Sequence, residues 1–380
     1  MNIATIIPSM NFLNLAKTLH VLAVLVMLIP RPSMAIDGFK VHTITDGLEH
    51  PWAMAFLPDG NILVTERPGH LRVIENGKLN PTPIKGLPSI AAQGQGGLLD
   101  ITLHPDYTNN GWLYLSYSES GHGGLGTAVA RTKLDGMKLV DTEVIFRMQP
   151  KSRGGRHFGS RLAFDREGFL YITVGDRGDR PRAQKLDDHA GSVIRLHDDG
   201  GIPSDNPFIK NKNVKTEIYS YGHRNPQGIT LHPKTGEVWI HEHGPQGGDE
   251  INLIQPGRNY GWPVITYGVN YVIGTKIGEG TSKEGMEQPL YYWTPSIAPS
   301  GMAFYTGDKF PGWRNNLFVG SLKFQLLVRL ELNGTEIIRE KRLLKGKLGR
   351  IRDVRSGPDG FLYLLTDKSN GSLVRLEPKP

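Results

Sequence analysis

Residues 162–174 read LAFDREGFLYITV, a short apolar run, a polar turn and a second apolar run that contains aromatic residues. The turn ends on Gly168, and glycine tolerates the left-handed backbone that tight turns require. Two short apolar runs joined by such a turn predict a β-hairpin. This hairpin is the unit from which the rest of the sequence can be interpreted.

The same pattern recurs along the chain, so that six copies are present in all. They lie at residues 53–65, 101–117, 162–174, 229–240, 302–319 and 354–365. The fifth copy has a longer turn and is less regular than the others. The spacing between copies suits one four-stranded blade with its loops. The sequence therefore predicts an all-β fold, a six-bladed β-propeller of four-stranded antiparallel blades. The alternative is a pair of β-sandwiches with similar turns.

The composition fits this fold and narrows the classes of function. The chain has 380 residues with 47 Gly, 26 Pro and no Cys, and its formal net charge is +7. Abundant glycine and proline indicate many tight turns. The charges are scattered rather than in blocks, so nucleic-acid binding is not predicted. Without cysteine, neither disulfides nor a thiolate nucleophile are available, and stability must come from the core or from bound metal.

The first 35 residues differ in character from the rest. They lack acidic residues, contain Lys17 and Arg31, and hold an apolar run at 21–29 followed by small residues. This pattern predicts a secretory signal peptide at residues 1–35, with residues 36–380 as one propeller domain. The alternative, a transmembrane anchor, would need about 20 apolar residues. We therefore expect a periplasmic or secreted protein without stable membrane insertion.

Polar residues flank the predicted hairpins in a recurring way. The residue before the first strand and the residue after the second lie at the same end of a hairpin. Before the first strands stand Gln95, His157, Arg224, Asn225, Arg350 and Arg352, and after the second strands stand Arg67, Asp176, residues 242–245 and Lys323. If these strands are the inner two of each blade, the groups gather around the central channel. Several arginines and a lysine there indicate a ligand with several carboxylates, the alternative being ordinary surface ion pairing.

His157 is the candidate general base. It lies in a glycine-rich segment, residues 154–161, one hairpin ahead of Asp176. A carboxylate beside an imidazole orients it and raises its basicity. A purely structural histidine is the alternative. The loop at 243–263 is a candidate metal-binding loop, because it offers the carbonyl and carboxylate oxygens that calcium prefers.

Taken together, the motifs resemble those of the soluble aldose sugar dehydrogenases that depend on pyrroloquinoline quinone (PQQ), relatives of soluble quinoprotein glucose dehydrogenase. The resemblance covers essentially all of residues 36–380. The motifs that carry it are QGGLL at 95–99, the segment from His157 to Asp176, GHRNPQG at 222–228, the loop at 244–263, Leu322-Lys323, and RIRD at 350–353.

The resemblance implies a role for each matching residue. It makes His157 the base that takes the proton of the anomeric hydroxyl, with Asp176 as its support. It implies that PQQ is held by Gln95, Arg224, Asn225, Lys323, Arg350 and Arg352, with Tyr271 over or beside it. It further implies a calcium ion at PQQ on the carbonyls of Gly244 and Pro245, and a second, structural calcium ion at Glu250 and the carbonyl of Tyr260.

The implied reaction is oxidation of an aldose at its anomeric carbon to the lactone, with hydride transfer to PQQ and electrons passed to an external acceptor. The chain is shorter than the glucose dehydrogenase branch, and residues 158–160 replace a polar pattern of that branch. We therefore expect a monomer with broad aldose scope. Two rival functions are a calcium-dependent lactonase and a non-catalytic propeller binding module. The cationic rim opposes the first, and the retained His157 and cationic cluster oppose the second.

Overall fold

The computed structural model describes residues 38–379, which form six four-stranded antiparallel sheets. The predicted six-bladed β-propeller is confirmed. The predicted signal peptide, residues 1–35, lies outside the described residues and stays a prediction. None of the helices within residues 38–379 combines the length and hydropathy of a bilayer-spanning segment.

The described residues contain 24 strands, numbered in chain order. They are β1 Phe39–Leu48, β2 Pro51–Phe56, β3 Ile62–Glu66, β4 His70–Glu75, β5 Lys78–Leu79, β6 Leu98–Leu103, β7 Trp112–Gly121, β8 Gly124–Asp135, β9 Lys138–Arg147, β10 Leu162–Phe164, β11 Leu170–Val174, β12 Ser192–Leu196, β13 Ile218–Tyr221, β14 Pro226–Leu231, β15 Val238–Glu242, β16 Asp249–Leu253, β17 Tyr291–Trp293, β18 Pro299–Phe304, β19 Leu317–Ser321, β20 Leu326–Asn333, β21 Glu336–Leu343, β22 Ile351–Ser356, β23 Leu362–Thr366 and β24 Gly371–Pro378. Three short helices accompany them: α1 Tyr107–Asn110 and the 3₁₀ helices Arg180–Gln184 and Pro311–Trp313.

Each predicted hairpin is a real hairpin because its turn is closed locally. In the turn between β10 and β11, Asp165 Oδ1 accepts hydrogen bonds from the amides of Glu167 and Phe169, both at 2.9 Å. Gly168 has φ +85° in the same turn, a conformation that suits glycine. Asp59 accepts from the amide two residues further on in the β2–β3 turn. These contacts depend only on neighbouring residues, so the sequence specifies them directly.

The sheets are arranged radially as blades. The innermost strands β2, β6, β10, β14, β18 and β22 each contact the next, and β22 contacts β2, which closes the ring. The second strand of every predicted hairpin is the second strand of its blade. The last blade consists of β22–β24 and β1, which pairs with β24 in an antiparallel register that includes Phe39 opposite Pro378. The two ends of the described chain are therefore joined within one sheet.

The hydrophobic core lies between blades. Tyr114 and Val129 of the second blade pack with Leu170 and Ile172 of the third, for example. The strand β11 is buried along its whole length. An inner strand has a neighbouring blade on each face, so both faces carry apolar side chains.

Four charged side chains fill the central channel, and we term them the channel ion cluster: Asp100, Arg161, Asp353 and Arg355. Arg161 Nη1 lies 3.3 Å from Asp100 Oδ1 and 2.9 Å from Asp353 Oδ1. Arg355 donates to Asp100 at 2.8 Å and to Asp353 at 2.9 Å. The guanidinium of Arg161 also stacks 4.0 Å from the ring centroid of Trp52. The cluster joins β6 of the second blade, the residue directly before β10 of the third blade, and β22 of the sixth blade.

Candidate active site

His157 and Asp176 form a hydrogen-bonded pair at one end of the channel. His157 precedes β10 and Asp176 follows β11, so the hairpin brings both to the same end. His157 Nδ1 lies 2.6 Å from Asp176 Oδ1. A carboxylate only accepts hydrogen bonds, so Nδ1 carries the proton and Nε2 presents its lone pair. Within residues 38–379, Nε2 has no hydrogen-bond partner, and it is therefore available to accept a proton.

The carboxylate of Asp176 is fixed by two further donors. Trp262 Nε1 donates to Oδ2 at 2.8 Å, and the amide of Gly178 donates to Oδ1 at 2.7 Å. Burial by itself raises the pKa of Asp176, but the hydrogen bonds from His157 and Gly178 bring it below its ordinary value. Asp176 is therefore ionised at neutral pH and aimed at the imidazole.

The pKa of His157 lies below its usual value, chiefly because the ring is buried. The hydrogen bond to Asp176 raises this pKa and the charge of Arg224 lowers it. Since the net direction is downward from 6.5, the imidazole is neutral at pH 7. A neutral imidazole is the form that can act as a base.

The backbone around His157 is held by two side-chain amides. His157 has φ +54°, and its own amide donates to Gln95 Oε1 at 2.8 Å. The amide of Gly159 donates to Asn225 Oδ1 at 3.2 Å. The carbonyl oxygens of Gln95 and Asn225 are thus engaged, whereas their NH₂ groups have no acceptor in the described part of the chain. Both side chains line a cavity to which these NH₂ groups can donate.

This cavity, the central cavity, has a volume of about 610 Å³ and lies beside His157. Phe158, which directly follows His157, forms part of its wall. The lining includes five of the predicted binding residues, namely Gln95, Asn225, Lys323, Arg350 and Arg352, together with Arg67, His243, Asp367 and Trp52. Four of these side chains are cationic and only Asp367 is a carboxylate among the described lining residues. Burial lowers the pKa of His243 to about 3, so this histidine adds no charge.

Asp367 organises the cationic side of the central cavity. Arg352 Nη2 donates to Asp367 Oδ2 at 2.7 Å and Arg350 Nη2 at 3.0 Å. Although burial raises the pKa of Asp367, the charges of Arg352 and Arg350 hold it well below its usual range. Arg352 Nε is buried and has no hydrogen-bond partner within residues 38–379. One carboxylate is shared between two arginines, which leaves donor capacity for an anionic ligand.

Arg224 is close enough to His157 for its charge to act on the imidazole, but it is not part of the lining of the central cavity. Its Nη1 donates to the carbonyls of His243 and Gly244, at 3.0 and 2.8 Å. Its guanidinium stands 5.4 Å from the ring centroid of Trp262. Arg224 lines a smaller cavity and not the central one, so its predicted contact with PQQ stays a prediction. Its positive charge nevertheless reaches His157 and lowers the pKa of the imidazole. The Gly244 carbonyl, a predicted calcium ligand, keeps one lone pair beside the bond from Arg224.

The smaller cavity holds three of the four residues predicted to bind calcium. Gly244, Glu250 and Tyr260 line it together with Glu242. Glu242 and Glu250 are directly opposite each other on β15 and β16. Burial, and then the charge of Glu242, raise the pKa of Glu250 well above its usual value. No cluster of three or more His, Asp or Glu side chains suited to a metal ion occurs within residues 38–379. A calcium ion would therefore depend on backbone oxygens as well.

One predicted cofactor residue stands apart. Tyr271 is 56% exposed, next to the exposed Val272 and Ile273, and it does not line the central cavity. Its placement beside a cofactor stays a prediction.

Sequence reasoning also missed residues of the site. Asp367 follows β23, the same flanking position that selected Arg67 and Asp176, so the hairpin rule could have found it. Trp262 lies within the candidate metal-binding loop at 243–263, but nothing in the sequence indicates its hydrogen bond to Asp176.

Comparison with known protein families gives one family over nearly the whole propeller. The family described as Glucose / Sorbosone dehydrogenase matches residues 48–375. The aldose sugar dehydrogenase of Escherichia coli (strain K12) is 49% identical over 346 residues, which cover 90% of this chain and 93% of the relative. Quinoprotein glucose dehydrogenase B of Acinetobacter calcoaceticus is 29% identical over 435 residues, covering 90% of each chain.

Two solved structures of aldose sugar dehydrogenases are also similar to this chain. The apo-form of the soluble aldose sugar dehydrogenase from Escherichia coli is 48% identical and superposes with a TM-score of 0.88, covering 90% of this chain and 100% of the other. The PQQ-bound form of aldose sugar dehydrogenase from Streptomyces coelicolor is 28% identical, with a TM-score of 0.73 and coverage of 89% and 98%.

Proposed function

The chain belongs to the glucose/sorbosone dehydrogenase family of oxidoreductases, and on that premise we propose that it oxidises aldose sugars at the anomeric carbon to the lactone, using PQQ and calcium. The observation that carries the proposal is an excess of cations in the central cavity, directly beside a histidine held neutral by burial and oriented by a carboxylate. Electrons leave to an external acceptor.

The lining of the central cavity fits PQQ, which carries three carboxylates and a pair of quinone oxygens. Four cations face one carboxylate there among the described residues, and this carboxylate is already shared by two arginines. Arg352 Nε is a buried donor that lacks an acceptor within residues 38–379. Lys323, Arg350 and Arg352 would hold the carboxylates, and the NH₂ groups of Gln95 and Asn225 would donate to the ring oxygens. When bound, PQQ supplies the two-electron oxidant that receives the hydride of the anomeric carbon.

The chain's own contribution to the reaction is proton transfer and electrostatics. His157 Nε2 removes the proton of the anomeric hydroxyl as the C–H bond breaks. Asp176 accepts from Nδ1 throughout, and its negative charge stabilises the imidazolium that results. Trp262 keeps the carboxylate in place from the other side. The positive charge of Arg224 favours negative charge developing on oxygen near His157.

Calcium fits the smaller cavity on chemical grounds. The buried Glu242 and the partly buried Glu250 oppose each other there, and Gly244 lines the same space. Oxygen donors of this kind are the ligands that calcium takes. We propose that the carbonyls of Gly244 and Pro245 would hold one ion, which would act as a Lewis acid toward the cofactor, and that Glu250 and the Tyr260 carbonyl would hold a structural ion.

The charge of the central cavity argues against the rival lactonase. A calcium-dependent hydrolase of this fold would need several carboxylate or amide ligands aimed into the channel. The described lining residues include a single carboxylate, and arginines bind it. The cavity therefore favours an anionic ligand over a metal ion.

The proposal is tested by reconstitution. Purified protein is mixed with PQQ and calcium, PQQ binding is followed by quenching of tryptophan fluorescence (Trp52 lines the cavity), and dye reduction is assayed with a panel of aldoses. Lys323→Gln is expected to weaken PQQ binding about 10- to 100-fold, because one charge-assisted hydrogen bond is lost. Lys323 is exposed and forms no ion pair within residues 38–379, so the substitution leaves the fold intact.

Lys210→Gln is the matched control. Lys210 is exposed in the loop after β12, at the opposite end of the blade from His157, and its replacement should leave PQQ binding unchanged. Absence of any quenching by PQQ, together with no activity on any aldose, would turn the interpretation to a non-catalytic binding module.

Removing calcium is expected to lower thermal stability. A saturating ligand at about 100 times its Kd stabilises by about 2.7 kcal/mol, so the Tm of the wild type should fall when a chelator replaces calcium. In Glu250→Gln most of this calcium-dependent shift should disappear, because an amide is a weaker ligand than a carboxylate. The shift should also shrink at acidic pH, since protonation of Glu250, whose pKa is raised, competes with the ion.

The control for this experiment is Glu284→Gln, which makes the same change at an exposed position. An equal calcium-dependent Tm shift in Glu250→Gln and in the wild type would contradict the assignment of the site.

A further inference from the structure

A second cleft lies on the same face as the central cavity, and we term it the basic groove. Its volume is about 510 Å³. Its charged lining residues are Lys151, Arg153, Arg156, Arg177, Asp179 and Arg182. The groove and the central cavity have no lining residue in common. None of these side chains takes part in the proposed chemistry.

The positive charge of the groove is largely uncompensated. Lys151 forms an ion pair with Glu119, and Arg182 forms a two-pronged pair with Asp188 at 2.7 and 2.9 Å. Arg153, Arg156 and Arg177, in contrast, have no carboxylate partner among residues 38–379. Asp179 is the only acidic side chain in the described lining.

Arg177 is a buried cation that forms no ion pair within residues 38–379, and the nearby charge of Asp176 compensates it only at a distance. Only 3% of the residue is exposed, and Nη2 donates to the carbonyl of Gly154 at 2.8 Å. Its Nη1 donates to the carbonyl of Arg156, while Nε has no partner within residues 38–379. A buried charge without a counterion is unfavourable. An anion bound in the groove would compensate it.

The wall between the groove and the central cavity is thin. The guanidinium of Arg177 stacks 3.5 Å from the ring centroid of Phe158, and Phe158 lines the central cavity. Arg156 directly precedes His157, and the amide of Gln95 bonds to the carbonyl of Gly155 at 2.7 Å. A molecule in the groove is therefore separated from a ligand of the central cavity by a single layer of residues. An electron passing from a cofactor in the central cavity to an acceptor in the groove would have to cross only this layer.

We propose that the basic groove is the docking site of the anionic electron acceptor that reoxidises the enzyme. The inference rests on the proposed dehydrogenase function and deepens it. Each turnover breaks the anomeric C–H and O–H bonds, forms the C=O bond of the lactone, and releases two electrons and two protons. Two one-electron acceptors take the electrons in turn, and the protons pass to solvent. The aldose substrate is uncharged and has no need of this site.

The test compares two acceptors of opposite charge. Ferricyanide is an anionic one-electron acceptor, and phenazine methosulfate is a cationic one. In Arg153→Gln/Arg156→Gln the KM for ferricyanide is expected to rise about tenfold at an ionic strength of about 0.01 M, and about twofold at 0.15 M, because salt screens the attraction. Turnover with phenazine methosulfate is compared at pH 8 and should not change there. Neither arginine lines the central cavity, and although the charge of Arg156 helps to lower the pKa of His157, the imidazole stays neutral at that pH without it.

The matched control is Lys210→Gln/Lys212→Gln, which removes the same charge from exposed positions at the opposite end of the third blade. It should leave the KM for ferricyanide unchanged. An equal rise in this control would mean that only net charge matters and would overturn the proposal. The proposal would also be overturned if Arg153→Gln/Arg156→Gln raised the KM for an anionic aldose such as glucose 6-phosphate but not the KM for ferricyanide. That result would show that the groove binds substrate and not the electron acceptor.

A binding measurement separates this proposal from the dehydrogenase function itself. Hexacyanocobaltate(III) has the shape and charge of ferricyanide but is redox-inert, and its binding can be followed by calorimetry. The titration is done with the central cavity saturated with PQQ, so that the groove is the anion site under test. The affinity of the probe should then fall about tenfold in the groove variant and stay unchanged in Lys323→Gln, which alters only the central cavity. Equal affinity in the wild type and the groove variant would refute the docking site, whether or not the protein oxidises sugars.

Discussion

Replacing His157 with alanine is expected to lower kcat for aldose oxidation by about 10²–10⁴-fold, the usual contribution of a positioned general base. PQQ binding should stay near that of the wild type, because the ring does not line the central cavity. The measurement is kcat from dye reduction together with a PQQ titration of the same preparation. Near-normal turnover in this variant would show that another group takes the proton.

The pH dependence of the wild type provides an independent check of the same base. Burial lowers the pKa of His157 below 6.5, so kcat/KM should stay level from pH 8 down to below that value and then fall. The sign follows from protonation, since imidazolium cannot accept a proton. A profile that fell already between pH 8 and 7 would identify a different titrating group.

Asp176→Asn is the sharper companion variant. Both carboxylate oxygens of Asp176 accept hydrogen bonds, from His157 and Gly178 on one side and from Trp262 on the other. The amide of asparagine has one accepting oxygen and one donating NH₂ group. It can therefore accept from His157 and Gly178 or from Trp262, but not from both sides at once. If the NH₂ group faces His157, Nδ1 must accept and Nε2 must carry the proton, which removes the base. We expect a large loss of kcat with PQQ binding retained.

The second large effect is expected on stability. Asp353→Ala removes one carboxylate from the channel ion cluster and leaves Arg161 and Arg355 short of a counterion in a buried site. Removing one partner of a buried ion pair destabilises the folded protein by about 3–5 kcal/mol. For a chain of this size the Tm should fall by about 4–7 °C. Calorimetry or thermal circular dichroism measures it.

Two further variants keep this prediction testable. Asp308→Asn alters a carboxylate that is 76% exposed, and its Tm should stay within about 1 °C of the wild type. Asp353→Asn/Arg355→Gln removes one charge of each sign, and it should cost less than Asp353→Ala because no charge is left unpaired. A double variant that proved less stable than the single one would contradict the assigned origin of the effect.

Much of the fold and part of the site could be predicted because they depend on short sequence separations. The turn at Asp165 is closed by amides two and four residues away, and every predicted hairpin is present. The proximity of His157 to Asp176 follows from one hairpin, since its two flanks must lie at the same end. Asp367 meets Arg350 and Arg352 by the same rule, and a stricter application of it would have included this residue.

The sequence alone therefore determined the hairpins, their number and the residues at their ends, because hydrogen bonds between near neighbours settle those features. Tertiary structure alone decided which distant ends meet. Trp262 reaches Asp176 across 86 positions, and Arg355 reaches Asp100 across 255. Such contacts arise only when the blades close into a ring, and ring closure is a property of packing between sheets that a local pattern does not contain.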